Sequence, residues 1–278
     1  MRRLASISLC LAATLAAAVP AAAAPAPALP DTGIFAPVAA RYRARVAHLG
    51  DSERGAMTPG RIRLLLATGQ PDLAASLAPK MTGDPNEVLV ARARVHLARL
   101  EFAPLAAEIA ELDRDPHGTP ASRAVRFAYR VARDDAAGVD ALSRPATLRT
   151  TDANAIPELL AAGRLAYDQL DYPRADSLFM RALAVIQVPA DAPAWGSEAG
   201  AARALALTGR ALVQQKRRDW EGSLATLEQA LAADGNAEVL MVLTETMIRL
   251  GRTDDAISAT EWAVKLTPYH EEIGRAHV

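Results

Sequence analysis

The chain has 278 residues with a formal net charge of −1, and 51% of the residues are apolar although only 4% are aromatic. Alanine supplies much of this apolar excess. Alanine is the best helix former, and few β-branched runs or Asn-Gly turns are present, so the composition favours an all-α protein packed through small side chains. No basic block and no interleaving of aromatic with basic residues occurs, which argues against a nucleic-acid-binding protein.

Residues 1–24 are predicted to be a secretory signal peptide. Arg2 and Arg3 give a basic start, residues 4–19 are apolar, and small residues follow. The apolar stretch is short for a stop-transfer helix, and no later apolar run is long enough to span a bilayer. We therefore expect an exported protein, periplasmic or secreted, of a bacterial cell envelope. Cleavage is expected after one of the alanines at 22–24, and retention as an N-terminal anchor is the alternative.

Cys10 is the only cysteine, and it lies within this apolar stretch. Leu9 precedes it, whereas a lipoprotein signal requires a small residue at that position. The mature chain would therefore contain no cysteine, which excludes disulfides, thiolate catalysis and cysteine metal sites. Such a composition suits an oxidising compartment.

Residues 25–40 are rich in proline and alanine and are predicted to be a linker. The triplet Asp31-Thr32-Gly33 has the sequence of the aspartic protease motif. It lacks the preceding apolar strand and a second copy, so a turn is the favoured interpretation.

Helix starts and breaks then recur along the chain. Thr58-Pro59, Asp84-Pro85 and Thr119-Pro120 each place a capping side chain before a proline, which fits the first helical position because its missing N–H has no partner there. Short polar breaks interrupt the helical pattern near Pro71, Phe102, Asp135, Tyr172, Trp220 and Thr253, at intervals of 31, 33, 37, 48 and 33 residues. A helical hairpin repeated at a near-constant period forms a stack in which each copy buries its face against its neighbours.

The period and residue order resemble the tetratricopeptide repeat (TPR). In the clearest unit, Leu159, Ala162, Gly163 and Ala166 occupy the first-helix positions of the motif, and Ala175-x3-Phe179 followed by Ala182 occupies those of the second helix. The next unit supplies Leu207, Arg210, Ala211, Gln214, Ser223, Leu227 and Ala230. The last supplies Leu240, Leu243, Thr244, Met247, Ala256, Thr260, Ala263 and Pro268.

The resemblance implies a right-handed α-solenoid of about six antiparallel helix-turn-helix hairpins. Residues 151–272 match the repeat well, and residues 41–150 match it in rhythm more than in residues. Arg210 and Gln214 depart from the family because they are polar at apolar positions, and Thr260 replaces its aromatic residue.

A concave groove lined by first helices is the binding surface that the resemblance implies, and it would hold a peptide or helix of a protein partner. By register, its exposed positions here are Arg164, Tyr167, Asp168, Gln215, Lys216, Glu245 and Arg249. An ordinary solvated helix face is the alternative for each of them. Trp195, within the Pro/Gly-rich part of the 48-residue interval, is either an exposed anchor for a partner or a side chain that folds back over a neighbouring hairpin.

The sequence contains no pattern that argues for catalysis, a cofactor or a metal site. His270-Glu271 begins like the zinc protease motif, but Gly274 stands where its second histidine is required. We therefore expect a non-catalytic TPR-type interaction scaffold with no cofactor. The alternatives are the N-terminal repeat region of a longer envelope enzyme, such as a peptidase, and a purely structural spacer. The oligomeric state is not specified by the sequence.

The last residues, 273–278, resemble the in-frame translation of a sequencing adapter. They interrupt the pattern where Pro268 would introduce another first helix. We expect them to be a non-native tail on a truncated chain, and a frayed natural terminus is the alternative. The complete reading frame beyond Glu272 would distinguish the scaffold from the front end of an enzyme.

Overall fold

The structure is a computed structural model that describes residues 29–51, 56–115, 118–133, 135–142, 155–194 and 196–267. Its regular elements within these ranges are helices, with no strand, so the prediction of an all-α protein is confirmed. The α-helices are α1 (Ala36–Asp51), α2 (Pro59–Ala67), α3 (Pro71–Leu77), α4 (Pro85–Ala98), α5 (Phe102–Leu112), α6 (Pro120–Ala132), α7 (Ala136–Leu142), α8 (Ile156–Asp168), α9 (Tyr172–Val185), α10 (Glu198–Lys216), α11 (Trp220–Asp234), α12 (Ala237–Arg249) and α13 (Thr253–Leu266).

The three predicted helix starts are confirmed. Proline is the first residue of α2, α4 and α6, and the preceding side chain caps each helix. Thr58 Oγ1 accepts a hydrogen bond from the backbone N–H of Arg61 at 3.3 Å, and Asp84 Oδ1 accepts one from Glu87 at 3.1 Å. These bonds satisfy N–H groups that have no partner inside the helix.

One turn geometry recurs at the predicted breaks. Five of them contain a middle residue with a φ between +60° and +74°, and the next N–H donates to the carbonyl five residues earlier at 2.9–3.0 Å. This pattern is the Schellman motif, which ends a helix by satisfying its last carbonyls. The break at Asp135 keeps the same bond, from its N–H to the Arg130 carbonyl at 2.9 Å. The left-handed positions are Gly69, Leu100, Leu170, Arg218 and Gly251.

Consecutive helices from α2 to α13 contact each other, and each even-numbered helix from α2 to α12 also contacts the next even-numbered one. We use helix pair for an even-numbered helix and the odd-numbered helix that follows it. Helix α1 lies outside this order, because it contacts α2 and also α11. The N-terminal helix therefore connects the first helix pair to the C-terminal part of the chain.

Small residues allow close packing around Phe179, as the sequence pattern predicts. Ala175, Phe179 and Ala182 are buried on one face of α9. A Cβ atom placed on Gly163 would lie 2.7 Å from Phe179 Cε1, and one placed on Gly209 would overlap the same ring. The ring thus occupies space that glycines on α8 and α10 leave free, because helices that cross closely tolerate little side chain there.

The assignment of residues 25–40 to a linker is wrong for the part that the structure describes. Helix α1 begins at Ala36, and Phe35 and Val38 are buried in the core cluster that contains α11, α12 and α13. The apolar side chains of this segment have distant partners, which a local Pro/Ala composition does not reveal. The predicted signal peptide of residues 1–24 and the predicted non-native tail of residues 273–278 lie outside the described residues.

Candidate functional site

The candidate site lies at the C-terminal ends of α8, α10 and α12. Most of the predicted groove residues come together there. Tyr167, near the end of α8, is half-buried, and its ring centroid lies 5.6 Å from that of Tyr172 at the start of α9. Lys216, the last residue of α10, places its Nζ 5.8 Å from the Tyr167 ring centroid. A cation at this distance from an aromatic face is attracted by the ring quadrupole.

A second contact of the same kind follows one helix pair later. Arg249 is the last residue of α12, and its Cζ lies 5.6 Å from the ring centroid of Trp220, the first residue of α11. Lys216 and Arg249 hold equivalent positions at the helix C-termini, where the helix dipole also favours positive charge. The two contacts form a surface on which cations lie over aromatic rings of the preceding pair. We name this surface, Tyr167, Tyr172, Lys216, Trp220 and Arg249, the cation–aromatic ridge.

Acidic side chains flank the cation–aromatic ridge. Arg164 on α8 approaches Asp168 at 3.3 Å and Glu238 on α12 at 3.6 Å, and Glu245 lies 4.0 Å from Arg249. The side chains in these pairs are 41–56% exposed, so solvent screens them and each pair contributes little to stability.

The prediction that Gln215 is exposed in the groove is wrong. Only 6% of Gln215 is exposed, and its Nε2 donates to the Val242 carbonyl at 3.1 Å and to Thr246 Oγ1 at 2.9 Å. Lys216, the next residue, is exposed as predicted, but the Gln215 side chain points toward α12. Gln215 therefore connects α10 to α12, and its hydrogen bonds help to hold these two helices together.

Two members of the cation–aromatic ridge were missing from the sequence-based set. Tyr172 and Trp220 stand at the first position of α9 and α11, and both lie near the turn that precedes them. Their shared register was visible in the sequence as the aromatic residue of each break. Trp195, the possible anchor, lies outside the described residues.

Models of known protein families and the sequences of curated proteins give no match to this chain. The chemistry of the cation–aromatic ridge is therefore the basis for a functional assignment. Within the ranges that the structure describes, no three His, Cys, Asp or Glu side chains are placed to hold a metal ion. None of the described helices is both long enough and apolar enough to cross a membrane.

The protonation of Tyr167 reflects its position in the ridge. The pKa of Tyr167 is raised to about 12, mainly by burial and also by the neighbouring Tyr172, while Arg164 opposes the shift. The phenol is therefore neutral throughout the physiological range. It can present an aromatic face and a hydroxyl to a partner, and it does not act as a base there.

A separate polar cluster lies in a cleft of about 430 Å³ between α3, α4 and α5. Glu108 Oε1 accepts from Arg92 Nε at 3.0 Å and lies 3.6 Å from His96 Nε2. Burial raises the pKa of Glu108, and the hydrogen bond from Arg92 opposes that shift. These contacts join α4 to α5, and Glu108 Oε2 is buried without a hydrogen-bond partner.

Proposed function

We propose that this protein is a non-catalytic, TPR-type protein–protein interaction scaffold of the bacterial cell envelope. In this proposal its helix pairs form a right-handed α-solenoid of about six antiparallel hairpins. The recurring turn and the contacts between successive even-numbered helices support that arrangement. A partner peptide or helix binds along the ends of α8, α10 and α12.

The observation that carries the proposal is a cation at the last residue of α10 and again at the last residue of α12, each over an aromatic ring of the preceding helix pair. Aromatic residues and arginine are the side chains that contribute most to protein interfaces. Lys216 and Arg249 are exposed, so their outer faces remain available to acceptor groups. The flanking Asp168, Glu238 and Glu245 add acceptors for donors on the partner, which favours a polar and selective contact.

The assignment to the cell envelope is supported by the signal-like residues 1–24. It is tested by fractionating cells that express the full reading frame and by sequencing the N-terminus of the recovered protein. A mature start after one of the alanines at 22–24 in the periplasmic fraction is expected. An intact Met1 in the cytoplasm would reject export.

The binding surface is tested with Tyr167→Ala/Lys216→Glu. Wild-type protein is used to recover partners from an envelope extract, the partner is identified, and its affinity for purified variants is measured by calorimetry. We expect the double substitution to weaken binding by at least tenfold, because truncating an anchor residue at the centre of an interface typically costs about 2 kcal/mol or more and the charge of Lys216 is also reversed.

Met180→Ala/Arg181→Glu is the matched control, since both residues are exposed in the C-terminal half of α9 and the substitutions remove apolar surface and reverse one charge in the same way. This control is expected to bind as the wild type does. Equal affinity of the wild type and Tyr167→Ala/Lys216→Glu would reject the ridge as the contact surface.

A further inference from the structure

Helix α1 caps the end of α11 with an arginine. The Arg41 guanidinium donates to the carbonyl oxygens of Leu231 at 3.1 Å and Ala232 at 2.8 Å. Both residues are in the last turn of α11, where carbonyls have no partner inside the helix. The cation also lies at the negative end of the helix dipole, which makes the contact favourable.

Arg45, one turn further along α1, connects three parts of the chain. Its Nη2 lies 2.5 Å from Asp234 Oδ1 at the end of α11, and its Nη1 donates to the Ala67 carbonyl at the end of α2 at 3.3 Å. The Arg45 and Asp234 side chains are only 7% and 9% exposed. A buried pair of this kind leaves an uncompensated charge when one partner is removed.

Apolar and aromatic contacts reinforce this attachment. Val38 packs so closely on Gly235 that a Cβ atom there would lie 2.6 Å from Val38 Cγ2. The Trp262 indole N–H donates to the Pro30 carbonyl at 2.9 Å, and the Trp262 ring meets Tyr42 edge-on with centroids 5.7 Å apart. These contacts join residues near the N-terminus to α11 and α13, about 200 positions later in the sequence.

The first and last helix pairs also meet directly. Gly69, in the turn between α2 and α3, faces the end of α13, where a Cβ atom would overlap the Lys265 carbonyl oxygen. Arg63 on α2 and Arg94 on α4 both reach Glu198 at the start of α10, at 3.2 Å and 3.3 Å. The helical array therefore closes on itself, and α1 lies where the two ends come together.

We propose that α1 is a clasp that holds the array closed, and that breaking the Arg45–Asp234 pair opens it while the helix pairs stay folded. Each helix pair from α2 to α13 has its own neighbours along the chain, so its packing does not depend on α1 alone. The contact between the N-terminal and C-terminal pairs, by contrast, involves Arg45, because the same guanidinium bonds to α2 in the first pair and to α11 in the pair before the last. Opening would separate these pairs and give a partner access to the surface between them.

The test compares three variants by distance measurement. Spin labels are attached to cysteines introduced at Leu73 on α3 and Ile257 on α13, both 45% exposed, in a chain with Cys10→Ser. We expect Arg45→Glu to lengthen and broaden the label distance by several ångström and to raise the radius of gyration, with an unchanged helical circular dichroism spectrum. Arg45→Lys, which keeps a cation able to donate to Asp234 and to the Ala67 carbonyl, is expected to keep the short distance.

Arg43→Glu is the matched control, because Arg43 is on the same helix and forms an exposed ion pair with Asp31, in which the side chains are 63% and 56% exposed. It is expected to leave the label distance unchanged. A wild-type distance in Arg45→Glu, an equal lengthening in Arg43→Glu, or a full lengthening in Arg45→Lys would overturn the proposal. A loss of helix content in Arg45→Glu would also overturn it, since the contact would then be required for folding.

Discussion

Replacing Gly69 and Gly251 with alanine, one at a time, tests how the array closes. Both glycines are the left-handed residue of the same turn, with φ values of +73° and +74°. Their surroundings differ, because a Cβ atom on Gly251 has nothing within 4 Å, whereas one on Gly69 would overlap the Lys265 carbonyl oxygen and lie 3.1 Å from the Lys265 carbonyl carbon. The two substitutions therefore share a backbone effect and differ by one steric contact.

The left-handed conformation costs an alanine about 1–2 kcal/mol, partly offset by the lower conformational entropy of its unfolded state, so Gly251→Ala should destabilise the protein by about 1 kcal/mol. Gly69→Ala adds an overlap with backbone atoms that cannot rotate away, for which overpacking gives about 1–3 kcal/mol more. The unfolded-state effect is the same in both variants and cancels in the difference.

Urea unfolding, followed by circular dichroism, measures the two free energies of unfolding. The cost of Gly69→Ala should exceed that of Gly251→Ala, and the excess should disappear in the Arg45→Glu background, where the clasp is open. Equal costs in the two variants, within about 0.5 kcal/mol, would show that the α2–α3 turn does not rest against the end of α13.

The remaining predictions concern the packing and the protonation of individual side chains. Gly163→Ala should destabilise the protein by about 1–3 kcal/mol because the new Cβ meets the Phe179 ring. Phe179→Leu should then lower the free energy of unfolding less in the Gly163→Ala background than in the wild type, which a double-mutant cycle of urea unfolding would show. Gln215→Ala should destabilise by about 1–3 kcal/mol because Thr246 and the Val242 carbonyl lose a buried donor, whereas Lys216→Ala, at an exposed position, should change the free energy of unfolding much less. Burial raises the pKa of Tyr167 from 10 to about 12 in the folded protein, so the folded state holds a proton that the unfolded state has lost between these values. The stability contribution is complete below pH 10 and is lost as the pH rises towards 12. Absorbance titration at 295 nm should show that Tyr167→Phe removes a tyrosine transition near pH 12, and an unchanged curve would contradict the shift.

The helix boundaries were predictable because the signals that set them are local. Thr58, Asp84 and Thr119 cap helices that begin at the next residue, and each polar break contains a turn. The small residues Ala175 and Ala182 were predictable as well, because their spacing with Phe179 follows one face of α9. Capping and periodicity depend on residues within a few positions of each other, which a single sequence shows directly.

The position of α1 and the burial of Gln215 were not predictable in the same way. Phe35 and Val38 find their partners about 200 residues away, and the composition around them is that of a linker. Gln215 is polar, and its position in the repeat indicated an exposed side chain. Its amide instead donates hydrogen bonds from α10 to α12. In both cases the deciding contact is made between distant elements, and no local pattern records it.

The left-handed positions show which part of the sequence specifies the repeated turn. Leu100, Leu170 and Arg218 adopt the same backbone conformation as the glycines, although a side chain there costs about 1–2 kcal/mol. Glycine is therefore not what sets the turn. Because the cost is accepted at three of the five turns, the packing of the helices on either side must determine the conformation. Only at Gly69, where the turn meets the end of α13, does the absence of a side chain become a requirement of the closed array.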